Sequence, residues 1–288
     1  MHVKALSALL AEPRYNFSDL PAASESLCFI IDQSLQPQAL SRLYRVGEPV
    51  VSQGLFFGTD FAEIPEGPLW LLAPRGSKLA AEATKLCEEH FSGIAISTPD
   101  PEKALAHARW LLRVNDGSGG QSLLSFHKPS LWAALAYTAD KTFDQLLGCW
   151  SAVYSPAPKN FGEQRGPWLA WIAWIANKES TWPGDKAPFN LPEAAAQVQA
   201  RLGWVYWVDE EYVAFEEPSD DRLNDIADNL DLLLKSNIYE GDHLLKLGHA
   251  VNGPLFETQP EIMAILQSKD ESFIKVDRLL ESAAVAQR

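Results

Sequence analysis

Short apolar runs alternate with amphipathic stretches through the first half of the chain. Leu27–Ile31 is a continuous apolar run of strand length, the pattern of a buried strand. Gln36–Val46 follows, with Pro37 in a first-turn position, Gly47 as a stop, and Leu40, Leu43 and Tyr44 on one helical face. Leu69–Leu72 is a second apolar run, closed by Pro74. Ser77 is placed to cap a helix to about Phe91, with Leu79, Ala83, Leu86 and Cys87 inward and Gly93 ending it. Ile94–Ile96 predicts a third strand. Thr98-Pro-Asp-Pro101 then opens a helix whose inward stripe is Ala104, Leu105, Ala108, Leu111 and Leu112.

Asn115-Asp-Gly-Ser-Gly-Gly120 separates Leu112–Val114 from Ser122–Phe126 and signals a hairpin. Helices are expected at Ser130–Tyr137 and at Asp140–Leu147, with Asp140 as cap. In the middle of the chain, Trp204–Val208 and Tyr212–Phe215 flank Asp209-Glu-Glu211 and predict a second hairpin. Trp168–Ala176 fits a buried strand or a helix, and periodicity does not choose between them. Pro156, Pro158, Pro167, Pro183, Pro188 and Pro192 mark loops.

From Ser219 onward the pattern is helical only. Ser219 is expected to cap, and Asp220 and Asp221 suit the positive end of a helix whose stripe is Leu223, Ile226, Ala227, Leu230, Leu233 and Leu234. Asp242–Val251 comes next, stopped by Asn252-Gly253-Pro254. Pro260 opens a short helix, and a last one over about Lys269–Ala284 is expected to bury Phe273, Val276 and Leu280. The fold class expected is therefore an α/β (α+β) N-terminal lobe, residues 1–217, with a smaller all-helical C-terminal lobe, residues 218–288.

With 47% hydrophobic and 22% charged residues, the composition is that of a globular chain with a full core, not a disordered one. The net charge of −14 repels phosphate backbones and argues against a nucleic-acid partner. Ten acidic residues lie between Asp209 and Asp231 against the single Arg222, a solvated face or a patch for a basic partner. Three sparse cysteines, Cys28, Cys87 and Cys149, form no disulfide framework and suit a reducing compartment. The run Ala5–Ala11 is at the lower size limit of a signal-peptide core and is followed at once by Glu12 and Arg14, so no leader is expected. Trp168–Ala176 is too short to cross a bilayer as a helix, which needs about 20 residues. A cytoplasmic protein with no membrane partner is expected.

No catalytic constellation is legible. The six histidines are scattered, and His243 and His249 are spaced wrongly for one helical face. Gly117-Ser-Gly-Gly120 lacks the phosphate-loop lysine and precedes a strand, so it reads as a turn. Adjacent acids such as Glu88/Glu89 point apart and make no acid–base pair by themselves. No metal or cofactor is called for. The aromatic candidates are Trp168, Trp171 and Trp174, a stripe if helical, and Phe56-Phe57, expected in the core.

Four segments in order resemble one family. Leu27–Tyr44 (LCFIIDQSLQPQALSRLY) is similar to its opening strand, Asp and helix. Phe57–Pro74 (FGTDFAEIPEGPLWLLAP) resembles its small turn and Gly-Pro-Trp-Leu strand. His107–Leu135 (HARWLLRVNDGSGGQSLLSFHKPSLWAAL) resembles its helix, Asp-Gly hairpin and aromatic-x-Pro helix start. Ile226–Leu266 resembles its closing helices, with the Gly-Pro-aliphatic-Phe piece at Gly253–Phe256. The family is that of type VI secretion effector adaptors or chaperones, the domain-of-unknown-function class numbered four-one-two-three. The resemblance is best over residues 27–156. One departure is plain: the family's Arg-Phe-Tyr-Asp-Pro stands here as Ser125-Phe126-His127-Lys128-Pro129, so the ion pairs of that Arg and Asp are missing.

The resemblance implies a bacterial cytoplasmic adaptor, not an enzyme, that binds one toxic effector and helps load it on the VgrG spike. The effector's N-terminal segment is expected to dock near the cleft between the lobes, with Trp168, Trp171, Trp174, Asp220, Asp221 and Asp225 as candidate contacts. Two rivals stand beside it: a hydrolase with a site assembled from His127, Asp116 and Ser118, and an immunity protein that masks a toxin.

Overall fold

The computed structural model describes residues 2–115, 117, 119–166, 168–176 and 187–286. The chain divides into two compact units, Met1–Lys159 with Glu163–Gly203, and Asn160–Gly162 with Trp204–Arg288.

The first unit is built on a six-stranded sheet. Its strands are β1 (Ser26–Ile31), β2 (Val51–Gly54), β3 (Leu69–Pro74), β4 (Gly93–Ser97), β7 (Ala152–Pro156) and β8 (Trp171–Ile175). They lie in the order β2-β3-β1-β4-β7-β8, and every pairing is antiparallel. A second sheet holds the expected hairpin, β5 (Arg113–Asn115) with β6 (Gln121–Leu123), and adds β9 (Phe189–Asn190) parallel to β5.

The central strands read as unbroken apolar runs because both sheet faces are covered. Leu27, Phe29 and Ile31 of β1 share a cluster with Leu69, Leu71 and Ala73 of β3, and with Trp171 of β8. Helices α2 (Ala39–Arg45) and α3 (Lys78–Glu88) supply Ala39, Leu43, Leu79, Ala83, Leu86 and Cys87 to that cluster. Each fully buried leucine there stabilises the fold by about 2 kcal/mol. The opposite face carries Cys28, Ile30, Trp70, Ile94, Ile96 and Val153, all buried. The helices α1 (His2–Ala11), α4 (Pro101–Leu111), α5 (Pro129–Thr138) and α6 (Phe143–Leu147) complete this part of the unit. Leu6 and Leu9 of α1 are buried, and α1 packs on α5, which packs on β7.

Two helices start where the sequence expects, after Ser77 and at Pro101. The Ser77 hydroxyl accepts from the Ala80 N–H at 3.0 Å. The Glu48 carboxylate accepts from Lys78 and Leu79 at 3.2 and 2.9 Å, an anion on the positive end of α3. Asp100 caps α4 through the Lys103 N–H at 3.1 Å, with Pro101 in the first turn. Other expectations are corrected. α2 begins at Ala39, and its inward residues are Ala39 and Leu43, leaving Tyr44 exposed. α3 ends at Glu88, and Glu89–Phe91 form a 3-10 turn in which His90 takes a left-handed φ of 57°. Asp140 caps no α-helix. It opens the 3-10 turn Asp140–Thr142 that leads into α6.

The largest correction concerns Trp204–Phe215. No hairpin forms there. Residues Ala195–Glu210 are one helix, α7, and Tyr212–Phe215 lie in turns. Ala195, Val198, Leu202, Val205 and Asp209 recur at three and four residues and are all buried. Trp204–Val208 mimicked a strand because Tyr206 and Val208 are buried too, so the helix lacks a polar face at that point. The division between the units falls inside α7, after Gly203.

The second unit, beyond its part of α7, is helical: α8 (Leu223–Lys235), α9 (Gly241–Lys246), α10 (Gly248–Val251), α11 (Pro260–Leu266) and α12 (Ser272–Ala286). The α8 stripe is as expected through Leu233, but Leu234 is 39% exposed. Ser219 does not cap by a side-chain bond to the backbone. Its hydroxyl donates to the Asp221 carboxylate. Asp242–Val251 is two short helices broken at Leu247. In α12 the inward residues are Val276 and Leu279, whereas Phe273 is 52% and Leu280 37% exposed.

Polar groups hold the loops of this unit. The buried Asn229 side chain accepts from Phe256 N–H at 2.8 Å and donates to the carbonyls of Val251 and Pro254 at 3.0 and 3.3 Å. It thereby fixes the Gly253-Pro254-Leu255-Phe256 segment, with Phe256 fully buried. The buried Lys275 ammonium donates to Ser236 and Leu266 carbonyls at 3.1 and 2.9 Å, a cation on the negative ends of α8 and α11. Among the described residues, no helix is long and apolar enough to cross a membrane.

Candidate partner-binding surface

Asp32 directly follows β1 and is 5% exposed. Its Oδ1 accepts from the Ser34 N–H at 2.9 Å and the Ser34 hydroxyl at 2.5 Å. On the other side His127 Nε2 lies 3.4 Å, and Lys128 Nζ 4.0 Å, from Oδ2. Burial alone would raise the Asp32 carboxyl. The hydrogen bonds from His127 and Ser34 and the His127 charge outweigh it and hold the group well below the usual carboxylate range. The sequence suggested that Ser125–Pro129 had lost its family ion pairs. The structure shows that His127 and Lys128 of this same pentapeptide supply a partner for Asp32.

This cluster is not arranged for nucleophilic attack. The Ser34 hydroxyl points at the carboxylate, not at the imidazole, and a carboxylate held well below its usual range is a weak base for its proton. His127 is 3% exposed, out of reach of a substrate. The other two members of the suggested hydrolase site, Asp116 and Ser118, lie outside the described residues. So do the loop markers Pro167 and Pro183. The thiols are poor nucleophiles: burial pushes Cys28 up to about 12 and Cys149 up to about 11, and raises Cys87 well above its ordinary value. Among the described residues no group of three or more His, Cys, Asp or Glu is placed to hold a metal.

The three candidate tryptophans are not brought together. Trp171–Ile175 is a strand, so Trp171 and Trp174 fall on opposite faces. Trp171 is fully buried, donates to Glu88 Oε1 at 2.6 Å and packs on Phe17 at 5.0 Å. Trp174 is 7% exposed, donates to the Ser155 hydroxyl at 3.2 Å and meets Tyr137 edge-on at 5.0 Å. Only Trp168, 74% exposed, is open to solvent. A three-residue spacing makes a stripe on a helix and cannot make one on a strand.

The acidic run is largely engaged within the chain. Asp209 is buried and accepts from Asn160 N–H at 2.7 Å, and Asp220 accepts from Gly162 N–H at 3.1 Å. Asp221 takes the Ser219 hydroxyl, Asp225 pairs with Arg222, Glu216 with His249 and Asp231 with the Trp204 indole. These carboxylates cap, tie and turn the backbone, which is a structural use of much of the cluster.

The surface that sequence reasoning missed is the rim of β2. Phe56-Phe57 was expected in the core. Phe56 is indeed 8% exposed, but Phe57 is 72% exposed. Gly58 follows with φ +76°, in the left-handed region that favours glycine. Phe57 and Ile64, with Gln33, Gln53, Gly54, Phe56, Ala62 and Gly67, line an apolar dish of about 440 Å³. Gln33 ties the dish by donating to the Gly67 carbonyl at 2.5 Å. The Arg109 guanidinium braces its edge, bonding the Leu55 carbonyl at 3.2 Å and Gln53 Oε1 at 3.0 Å. A sequence signal existed: Phe57 opens a run, Gly58-Thr-Asp-Phe-Ala-Glu-Ile-Pro-Glu-Gly67, too rich in turn residues to be core.

Fold and surface together define an α+β domain in which the described carboxylate–histidine cluster is closed to solvent and an apolar rim beside a sheet edge is open. Residues 28–145 match the model of a domain of unknown function (DUF4123), a domain associated with type VI secretion effector adaptors. The matched stretch runs from β1 into α6 and contains Asp32, His127 and the whole β2 rim. No curated protein and no solved structure matches the chain.

Proposed function

We propose that this protein is a type VI secretion adaptor, a chaperone that holds one secreted effector in the cytoplasm and helps load it on the VgrG spike. The observation that carries the reading is the DUF4123 domain over residues 28–145, whose family is in general one of non-enzymatic adaptors. The physical character of the domain supports it. The thiols are held protonated by burial, Ser34 faces only the weakly basic Asp32 carboxylate, and the exposed aromatic Phe57 sits in a dish suited to an anchoring side chain. The client segment is proposed to be the effector's N-terminal part.

The test is genetic and biochemical together. Deleting the gene should abolish delivery of the effector encoded beside it while other effectors are still delivered. The two proteins, co-expressed, should elute as one complex. Unimpaired delivery and separate elution would discard the reading. Protection of a target cell from the toxin, with delivery unaffected, would identify a masking protein instead.

A further inference from the structure

The main sheet has two edges, and they are treated differently. On the β8 edge, Tyr15 forms a bridge with Trp171, its N–H donating at 2.9 Å and its carbonyl accepting at 3.2 Å. On the β2 edge, no described strand pairs with the outer side. Leu55 N–H donates to the carbonyl of Pro68, just before β3, at 2.7 Å, so the alternation of an antiparallel strand turns Val51 and Gln53 inward and Ser52 and Gly54 outward. The Ser52 N–H and carbonyl and the Gly54 N–H therefore lie along the open rim. Val51-Ser-Gln-Gly54 carries none of the lysines or prolines that usually guard such an edge.

Beside this rim lies the Phe57–Ile64 dish, and the loop that forms it is acidic. Asp60 pairs with Arg113, but Glu63 and Glu66 are exposed and have no ion-pair partner among the described residues. Backbone groups along an edge recognise an extended chain. An apolar dish selects one anchoring side chain. Free carboxylates select basic neighbours.

We propose that β2 is the docking edge for the client: an extended segment of the effector with an apolar anchor and flanking lysines or arginines adds to the sheet as a seventh strand. The anchor fills the dish at Phe57 and Ile64, and the basic residues face Glu63 and Glu66. This inference rests on the adaptor reading and names the surface through which it works.

The probe is a fluorescein-labelled ten-residue peptide of alternating valine and lysine, titrated with the full chain and followed by polarisation. A matched peptide has glutamate for lysine. The lysine peptide should bind and weaken as NaCl rises from about 50 to about 300 mM, while the glutamate peptide does not bind. Ser52→Pro, which removes an outward N–H, should weaken binding by roughly tenfold or more, as should Phe57→Ala and the pair Glu63→Lys/Glu66→Lys. The last two leave the strand backbone untouched, so a folding defect in Ser52→Pro does not decide the matter. Val213→Ala, at a position 78% exposed in the other unit, should bind as the parent does. No binding by the lysine peptide, or equal affinity in Phe57→Ala and in the charge-reversed pair, overturns the proposal. With the effector itself, co-elution undiminished by these substitutions removes this surface and leaves the adaptor reading standing. No co-elution with the parent chain removes both.

Discussion

At the scale of single residues, burial has been used to fix protonation states. His107 is fully buried, stacked on Trp110 at 5.2 Å and edge-on to Trp150 at 4.6 Å, with Nε2 3.0 Å from the Leu146 carbonyl. Burial pushes its pKa down to about 4, and the bond to Leu146 only partly opposes this. The unfolded chain binds a proton near pH 6.5, well before the folded one does, so stability falls as pH drops from 6.5 towards 4. At pH 5 this single group should cost about 2 kcal/mol relative to pH 7.5. Urea unfolding at the two pH values should show that increment in the parent and lose it in His107→Gln. An unchanged pH dependence in the variant would show that His107 is not its source. Asp32 behaves in the opposite chemical sense and the same thermodynamic one. Its depressed carboxyl stabilises the fold above the ordinary carboxylate range, and that contribution is lost as pH falls towards its folded-state value.

At the scale of elements, short helices depend on close backbone approach more than on propensity. α10 has four residues and could not persist alone. It lies so near the turn that follows α7 that a Cβ on Gly248 would come within 2.0 Å of the Ala214 carbonyl oxygen and 2.8 Å of its carbon. Both are backbone atoms, so no side-chain rotation relieves the clash. Gly248→Ala should therefore cost about 3 kcal/mol by overpacking, measured as a lowered thermal midpoint. A variant as stable as the parent would mean that the two segments separate freely. The same scale explains the misread α7. Local apolar alternation over Trp204–Val208 resembles a strand, but the stripe at three and four residues from Ala195 to Asp209 is what the packing uses.

At the scale of the whole molecule, charge decides partners more than fold. Twenty-four basic residues against thirty-eight acidic ones give a net charge of −14. Duplex DNA should not be retained even at low salt, whereas basic peptides should be, with an affinity that declines as salt rises. A gel-shift titration checks the first expectation, and retention of DNA at low salt would contradict the charge argument. The fold class was legible because it depends on pattern summed over long stretches. Strand runs at Leu27–Ile31, Leu69–Leu72 and Ile94–Ile96, the Ser77 cap and the helix start at Pro101 all stand in the structure near where the sequence put them. The candidate contacts were less legible. Trp171 and Trp174 look alike in composition to Trp168, yet two are interior and one is not.

What the sequence determines by itself is local or cumulative: which segments are apolar at which period, where a helix begins, and the sign of the overall field. Those properties are carried by neighbours along the chain or by a sum over all of it. Tertiary structure alone decided that His127 and Lys128 meet Asp32, that Phe57 faces water while Phe56 does not, and that no described strand pairs with the outer side of β2. Each is a matter of which distant segments become neighbours, and such pairings are fixed by the joint packing of many side chains.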